Sequence, residues 1–104
     1  MITYKDIKVI LDNKLCLIND EPVDLTKKEY KLLVHFLKNK DKIFSRKELI
    51  DLFWEGNVSL RTIDTNITRL RSKLGPYKGN IVTRNGFGYG FNTRYLDWNA
   101  NYLQ

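Results

Sequence analysis

The chain has 104 residues, one cysteine and a formal net charge of +6 at neutral pH. This length predicts a single domain with a modest hydrophobic core, and one cysteine excludes an internal disulfide. We interpret Cys16 as a small buried or half-buried side chain, because no histidine stands near it in sequence to make a reactive thiol. The sequence has no signal peptide and no apolar run long enough to span a bilayer, so we expect a cytoplasmic protein that does not bind membranes.

The positive charge is unevenly distributed along the chain. Residues 1–60 carry eleven Lys or Arg and ten Asp or Glu, whereas residues 61–94 carry seven Lys or Arg and a single acid, Asp64. Residues 95–104 add one further acid, Asp97. A basic surface confined to one stretch of the chain predicts a polyanion as the partner, one that fits a groove.

Residues 1–24 alternate between apolar and polar side chains, which is the pattern of half-buried strands. Breaks at Lys5-Asp6, Asp12-Asn13-Lys14 and Asn19-Asp20 indicate tight turns, because Asn and Asp tolerate left-handed backbone and bond to their own main chain. We therefore expect three or four short antiparallel strands. Such a sheet is marginally stable when isolated, so its apolar face is expected to lie on helices.

Two helices are predicted next, each with a capping box at its start. Thr26 and Ser45 each precede a glutamate by three residues. The first helix is expected over residues 27–38 and the second from residue 46 to about residue 54. The side chains expected to be buried are Tyr30, Leu33, Phe36 and Leu37 on the first helix and Leu49, Ile50 and Phe53 on the second.

A third helix is predicted between Ser59 as N-cap and Gly75 as left-handed C-cap, with Pro76 behind it. Its apolar residues recur at the spacing of a core-facing stripe. The opposite face has Arg, Lys, Thr, Ser and Asn with one acid, whereas an ordinary solvated face mixes both charge signs. We interpret it as a binding face, with a solvated basic helix as the alternative. The stripe consists of Leu60, Ile63, Ile67, Leu70 and Leu74.

Residues 81–91 predict a β-hairpin, because Asn85-Gly86 between two β-forming runs is typical of a type I′ turn. The glycines of this segment lie within a hairpin and not between a strand and a helix, which argues against a nucleotide-binding loop. The final segment, residues 93–104, is too apolar for a free tail. We expect it to cap the sheet or to mediate a contact between copies of the chain.

Several motifs occur together in the order small sheet, three helices and basic hairpin. They are Leu25-Thr26, Glu29, Leu32 and Leu33 in helix one, Ser45-Arg46, Leu49 and Trp54 in helix two, Arg61-Thr62-Ile63-Asp64, Ile67, Leu70-Arg71 and Lys73 in helix three, and Thr83, Gly86, Gly88 and Tyr89 in the hairpin. This combination resembles the winged helix-turn-helix DNA-binding domain of the OmpR/PhoB family of two-component response regulators, an α+β fold. The resemblance covers about residues 2–92. The predicted parts of the single domain 1–104 are an N-terminal sheet (1–24), three helices (25–75), a wing hairpin (79–92) and a C-terminal extension (93–104).

The resemblance implies that helix three enters the major groove of double-stranded DNA, that the wing reaches the adjacent minor groove, and that two copies bind head to tail on direct repeats. It also implies that the loop before helix three can face RNA polymerase, and that a sensor kinase acts on a separate receiver domain. The chain is too short to include a receiver domain, so we expect an excised effector domain or, as the alternative, a stand-alone one. No cofactor, metal or catalytic residue is expected.

Five residues of helix three are predicted to contact base edges in the major groove. Arginine can bind guanine through two hydrogen bonds, and a threonine methyl group can contact the methyl group of thymine. The two positions beside the centre of the face, Thr62 and Asn66, suit bases or phosphates. The five residues are Arg69, Thr65, Thr68, Thr62 and Asn66.

A second set of residues is predicted to contact phosphates, which set the register without reading sequence. Arg61 is expected to be oriented by Asp64, three residues later. Trp54 suits either core packing or donation of its indole N–H to a phosphate, and Arg46 and Lys47 suit either a phosphate at the start of helix two or solvent. The predicted phosphate contacts are Arg61, Arg71, Lys73, Thr83 and Trp54.

The wing departs from the family pattern at its tip. Asn85 stands where the family commonly has Arg, and Arg84 occupies the preceding, usually apolar, position. With Gly86 in the turn, insertion into the minor groove falls to Arg84 or is lost. An enzyme is not expected, because His35 has no nucleophile or metal-ligand spacing around it. The alternative to DNA binding is a winged helix that binds another protein through the same surfaces.

Overall fold

A computed structural model of the chain describes residues 1–94. The predicted C-terminal extension falls almost entirely outside these residues, so its role stays a prediction. Two short 3-10 turns, Leu11–Asn13 and Gly75–Asn80, connect neighbouring elements. The elements in chain order are β1 (Ile2–Tyr4), β2 (Ile7–Ile10), β3 (Leu15–Ile18), β4 (Glu21–Val23), α1 (Lys27–Lys38), α2 (Arg46–Phe53), α3 (Leu60–Lys73), β5 (Ile81–Arg84) and β6 (Gly88–Phe91).

The N-terminal strands form one antiparallel sheet in the order β1-β2-β3-β4. The three breaks seen in the sequence are the three turns, and Asn19 and Asp20 both have positive φ, 52° and 63°. Val9 lies opposite Cys16, and both are buried on the face that packs against the helices. Cys16 is buried as predicted, and burial raises the pKa of its thiol to about 11, which disfavours the reactive thiolate.

Helices α1 and α2 begin at the two predicted capping boxes. The Oγ1 of Thr26 accepts from the backbone N–H of Glu29 at 3.2 Å, and the Thr26 N–H donates to Glu29 Oε1 at 2.8 Å; Ser45 and its glutamate do the same. Two details of the predicted core are wrong. Tyr30 is only half-buried and Leu32 is fully buried instead, because α1 turns the Leu32 side toward the sheet and α3. Phe53 is likewise only half-buried.

Helix α3 ends at Lys73 with Leu74 as its C-cap, and the next residue, Gly75, has a φ of 55°, the left-handed conformation that glycine adopts just after a helix. Ser59 stands at the N-cap, but only its carbonyl is used, accepting from the Thr62 N–H at 3.0 Å. Four of the five predicted stripe residues are buried. Leu60 is 44% exposed, because the first residue of the helix faces an open cleft and not the core. The buried four are Ile63, Ile67, Leu70 and Leu74.

Strands β5 and β6 form the predicted hairpin, called the wing from here on. Arg84 lies opposite Gly88, which leaves a loop of three residues, and the N–H of Phe87 donates to the Arg84 carbonyl at 2.9 Å. Gly86 has a φ of 84°, but Asn85 does not have positive φ. The predicted type I′ turn is therefore wrong, since that turn needs positive φ at both central residues.

The second strand of the wing, β6, is held by the segment between α1 and α2. Phe44 and Tyr89 exchange two backbone hydrogen bonds, of 2.8 and 2.9 Å. A Cβ atom at Gly88 would lie 1.9 Å from the Phe44 carbonyl oxygen, so only glycine permits this crossing. The wing is thus continuous with the helical core at the level of the main chain.

Candidate nucleic-acid interface

The outer face of α3 presents a line of polar side chains that the protein leaves unoccupied. Arg61, Thr65 and Arg69 follow one another at intervals of four residues, and all three are exposed. Within residues 1–94 none of the three forms a side-chain hydrogen bond or ion pair. Two guanidinium groups on one helix face are therefore free to bind an external acceptor.

Two further polar side chains of this face, Asn66 and Thr68, are bonded to the backbone of their own helix. Asn66 Nδ2 donates to the Thr62 carbonyl at 2.8 Å, and Thr68 Oγ1 donates to the Asp64 carbonyl at 2.9 Å. Such bonds to the preceding turn are common for short polar residues. Asn66 keeps its carbonyl oxygen for a ligand, and Thr68 keeps its methyl group.

Arg71 joins α3 to the first strand of the wing. Its Nε donates to the Ile81 carbonyl and its Nη2 to Thr83 Oγ1, both at 3.0 Å. These bonds use two of the five N–H donors of the guanidinium. Arg71 and Thr83 therefore support the wing, and their predicted contact with phosphate is not tested by this geometry.

Lys73 is bound to a buried carboxylate. Its Nζ donates to Glu29 Oε1 at 2.7 Å, and the Glu29 side chain is completely buried in α1. Burial favours the neutral acid and raises the pKa of Glu29, but hydrogen bonds from Lys73 and Thr26 outweigh it and leave that pKa below its usual value. The ammonium compensates a buried carboxylate with one of its three N–H donors, and its predicted contact with phosphate is not tested by this geometry.

The predicted pairing of Arg61 with Asp64 is wrong. Asp64 Oδ2 accepts from Arg46 Nη1 at 3.2 Å, and Asp64 Oδ1 accepts from the Tyr89 hydroxyl at 2.6 Å. Burial, together with this bond to Asp64, raises the pKa of Tyr89 to about 12. The Asp64 to Tyr89 contact escaped sequence reasoning, because 25 residues separate the two and no local motif joins them.

A cleft of about 440 Å³ opens between the start of α2, the start of α3 and the wing. Three cations line it, Arg46, Lys47 and Arg84. The Arg84 guanidinium lies 4.7 Å from the centroid of the Phe87 ring, and both side chains are exposed at the wing tip. Stacking on an aromatic ring restricts a guanidinium while keeping its N–H groups free. Asn85 and Gly86 stand between them and are exposed.

Trp54 caps the C-terminal end of α2 and is half-buried. The Lys28 ammonium lies 5.0 Å from its ring centroid and also donates to the Phe53 carbonyl. Part of the indole thus packs against the core. The predicted contact of its N–H with phosphate is not tested.

Neither a metal site nor a membrane segment is found in the part of the chain that the structure describes. No three side chains of His, Cys, Asp and Glu lie close enough together there to hold a metal ion. No helix among those residues is long and apolar enough to cross a membrane.

Sequence comparison relates the chain to transcription regulators. The family described as "Transcriptional regulatory protein, C terminal" matches residues 20–91. The phosphate regulon transcriptional regulatory protein PhoB of Pseudomonas aeruginosa is 39% identical over 80 residues, 74% of this chain and 35% of that protein. The transcriptional regulatory protein SrrA of Staphylococcus aureus is 35% identical over 103 residues, 93% of this chain and 43% of that protein. The chain thus spans less than half the length of these relatives.

Solved structures show the same architecture. The DNA-binding domain of the response regulator AdeR, in complex with an intercistronic region, superposes with a TM-score of 0.81 at 27% identity, covering 90% of this chain and 100% of that one. DrrB of Thermotoga maritima, an OmpR/PhoB homologue, gives a TM-score of 0.80 at 30% identity over 86% of this chain and 43% of that one. The predicted winged helix-turn-helix fold is confirmed. The chain belongs to the C-terminal DNA-binding domains of OmpR/PhoB-type transcriptional response regulators, a family of transcription regulators and not of enzymes.

Proposed function

We propose that this chain binds double-stranded DNA sequence-specifically and controls transcription as the effector part of a two-component response regulator, with α3 in the major groove and the wing toward the minor groove. The observation that carries the proposal is the unoccupied line of Arg61, Thr65 and Arg69 on α3, beside the exposed Arg84 at the wing tip. DNA-bound AdeR has the same fold, which supports duplex DNA as the polyanion.

Base recognition is assigned to the centre of α3. Arg69 is exposed and has no partner among the described residues, so its fork of N–H groups is free to bind guanine in a bidentate manner. Thr65 and Thr68 add threonine methyl groups beside it. Thr62 and Asn66 lie nearer the core and suit bases or phosphates, with the Asn66 carbonyl oxygen as a remaining acceptor.

Phosphate contacts are assigned to the ends of this surface. Arg61 lies in the first turn of α3 and is exposed, and Trp54 offers its indole N–H from the end of α2. Arg71 and Thr83 already hold the wing, and we propose that they also approach a phosphate with their remaining groups. Lys73 stays in this set, because its ammonium uses one of three donors for Glu29 and keeps two for a phosphate.

The wing contact is assigned to Arg84. Arginine inserted into a narrow minor groove meets an enhanced negative potential, and the Phe87 ring holds the guanidinium at the tip. Asn85 and Gly86 form the loop that approaches the sugar-phosphate backbone. The wing therefore adds a contact next to the major-groove site.

The remaining partners belong to the same proposal. Two copies bind head to tail on direct repeats, the loop of residues 55–59 faces RNA polymerase, and a sensor kinase acts in the cytoplasm on a receiver domain. PhoB and SrrA are more than twice as long as their matched segments, which supports a further domain in the working regulator.

The decisive experiment is selection of bound duplexes from a random pool, followed by a salt titration of the selected duplex against a scrambled one. We expect a direct repeat with half-sites about one helical turn apart and an affinity that falls steeply with salt, because phosphate contacts release counterions. Weak binding without sequence enrichment would reject the proposal and favour the alternative of a protein-interaction module.

A further inference from the structure

The wing is joined to α3 by side chains at two separate places. Arg71, in the C-terminal half of α3, holds β5 through Ile81 and Thr83. Asp64, in the N-terminal half, holds β6 through the Tyr89 hydroxyl at 2.6 Å. Among the described residues, the Asp64 to Tyr89 bond is the only side-chain hydrogen bond between the first two turns of α3 and the wing.

We infer that Asp64 is a positioning residue, which fixes the wing relative to the DNA-facing half of α3 so that both reach one duplex in register. The inference rests on the proposed function. Each Asp64 oxygen takes a different element: Oδ1 accepts from β6, and Oδ2 accepts from Arg46 at the first residue of α2. One carboxylate therefore joins three elements that meet at the cleft.

The two contacts of Asp64 differ in what they contribute to stability and to positioning. The side chains of Arg46 and Asp64 are 44% and 40% exposed, so water screens their attraction and the pair adds little to folding. The bond from Tyr89 is short, as charge-assisted O–H···O⁻ bonds are, and it is directional. The Arg46 to Asp64 pair therefore adds little stability, whereas the partly buried bond from Tyr89 has a narrow geometry and sets where the wing lies.

The backbone of the wing does not depend on this contact. Phe44 and Tyr89 exchange two main-chain hydrogen bonds, and these hold β6 near the start of the strand when the Tyr89 hydroxyl is removed. What remains free to move is the tip, with Arg84 and Phe87, relative to Arg61 and Thr65 on α3. Losing the contact therefore makes ordering of the wing part of the binding step, which weakens binding.

The test compares Tyr89→Phe with a matched control, Tyr77→Phe. The Tyr77 hydroxyl also donates to an aspartate, Asp6, at 3.1 Å, but this pair joins the 3-10 turn Gly75–Asn80 to the turn between β1 and β2. We expect Tyr89→Phe to weaken binding to the selected duplex by about two- to tenfold, as for one contact group that must be ordered on binding, and Tyr77→Phe to leave it unchanged.

A double-mutant cycle with Arg84→Ala separates positioning from general destabilisation. If Asp64 acts through the wing, the loss caused by Arg84→Ala is smaller in the Tyr89→Phe background than in the parent. Asp64→Asn keeps an acceptor for the Tyr89 hydroxyl and should retain most of the coupling. Additive losses, or equal binding by Tyr89→Phe and Tyr77→Phe, would overturn the inference.

Amide hydrogen exchange of the free protein decides the inference without DNA. We expect faster exchange at the Phe87 N–H, which donates to the Arg84 carbonyl, in Tyr89→Phe than in the parent or in Tyr77→Phe. Unchanged exchange would overturn the positioning role, whatever the binding result. If the parent selects no duplex but Tyr89→Phe still exchanges faster than the parent, the proposed function is rejected and the positioning role of Asp64 stands.

Discussion

The four cations of α3 divide into two pairs that the fold uses in opposite ways. Arg61 and Arg69 are exposed and unpaired within residues 1–94, whereas Arg71 and Lys73 are partly buried and bonded to the wing and to Glu29. All four belong to one basic stretch of sequence. The difference shows that a basic helix face has an outer part that stays exposed and a boundary part that holds the fold together.

Helix geometry explains why the boundary lies where it does. Arg61, Thr65, Arg69 and Lys73 stand at intervals of four residues, which suggests one continuous line. At 3.6 residues per turn each interval of four drifts by about 40°, so three intervals move Lys73 about 120° around the helix from Arg61. This rotation carries Lys73 to the side of α3 that packs on α1.

The largest effect is expected in Lys73→Ala, in the partly buried pair of Arg71 and Lys73. The change leaves the fully buried Glu29 carboxylate without its cation and should lower the free energy of unfolding by about 2–3 kcal/mol, below the full range for buried pairs because the Lys73 side chain is 34% exposed. Urea denaturation at pH 7 measures it.

The control for that prediction is the double variant Glu29→Gln with Lys73→Met. Gln keeps an acceptor for the Thr26 N–H, and the apolar methionine stem replaces the lysine, so most of the stability should return. Near-normal stability of Lys73→Ala together with weaker DNA binding would instead support the original assignment of Lys73 to phosphate.

The exposed pair, Arg61 and Arg69, should affect DNA recognition without affecting the stability of the fold. In Arg69→Ala, we expect the preference for the selected over the scrambled duplex to fall by about 1–3 kcal/mol, while the free energy of unfolding changes by less than about 0.5 kcal/mol. Competition binding and urea denaturation measure the two quantities. Lys27→Ala, an exposed residue on α1, removes the same charge elsewhere and should leave the preference unchanged.

A smaller and less selective effect is expected for Arg61→Ala. Loss of one phosphate contact should weaken the selected and scrambled duplexes alike and reduce the slope of log affinity against log salt by about one. Salt titrations of both duplexes test this. A loss confined to the selected duplex would move Arg61 from the phosphate contacts to the base contacts.

The smallest expected effect is a pH dependence of stability, because the core disfavours the protonated form of His35. The imidazole of His35 lies 4.4 Å from the Phe44 ring and 5.5 Å from the Phe53 ring, measured between centroids, and its buried Nε2 has no hydrogen-bond partner among residues 1–94. Burial lowers the pKa of His35, although Glu48 partly opposes this. The unfolded chain therefore binds this proton more readily than the folded protein.

Stability should consequently be highest above the unfolded pKa of about 6.5 and should fall as the pH drops from there through the lower folded pKa. Urea denaturation between pH 7.5 and 5.5 measures the slope. His35 is the chain's only histidine, so His35→Leu should remove most of the slope. A slope that persists in this variant would assign it to other groups.

Short-range signals predicted the elements well, because each depends on neighbouring residues. Three kinds of local feature appear where the sequence indicated: the capping boxes at Thr26 and Ser45, the turn at Asn19-Asp20, and the left-handed Gly75 after α3. Asn85-Gly86 marks the limit of such signals. The dipeptide suits more than one turn, and the pairing of Arg84 with Gly88 leaves a three-residue loop.

Local sequence was thus sufficient for the order of the elements, their caps, the apolar stripe of α3 and the presence of a basic face opposite it. Folding of the whole chain assigned the use of each polar side chain on that face. Lys73 meets its partner from 44 residues away, Asp64 from 25 and Arg71 from 10. A hydrogen bond requires donor and acceptor within about 3 Å, and residues so far apart in sequence reach that distance only when the helices and the wing have packed together.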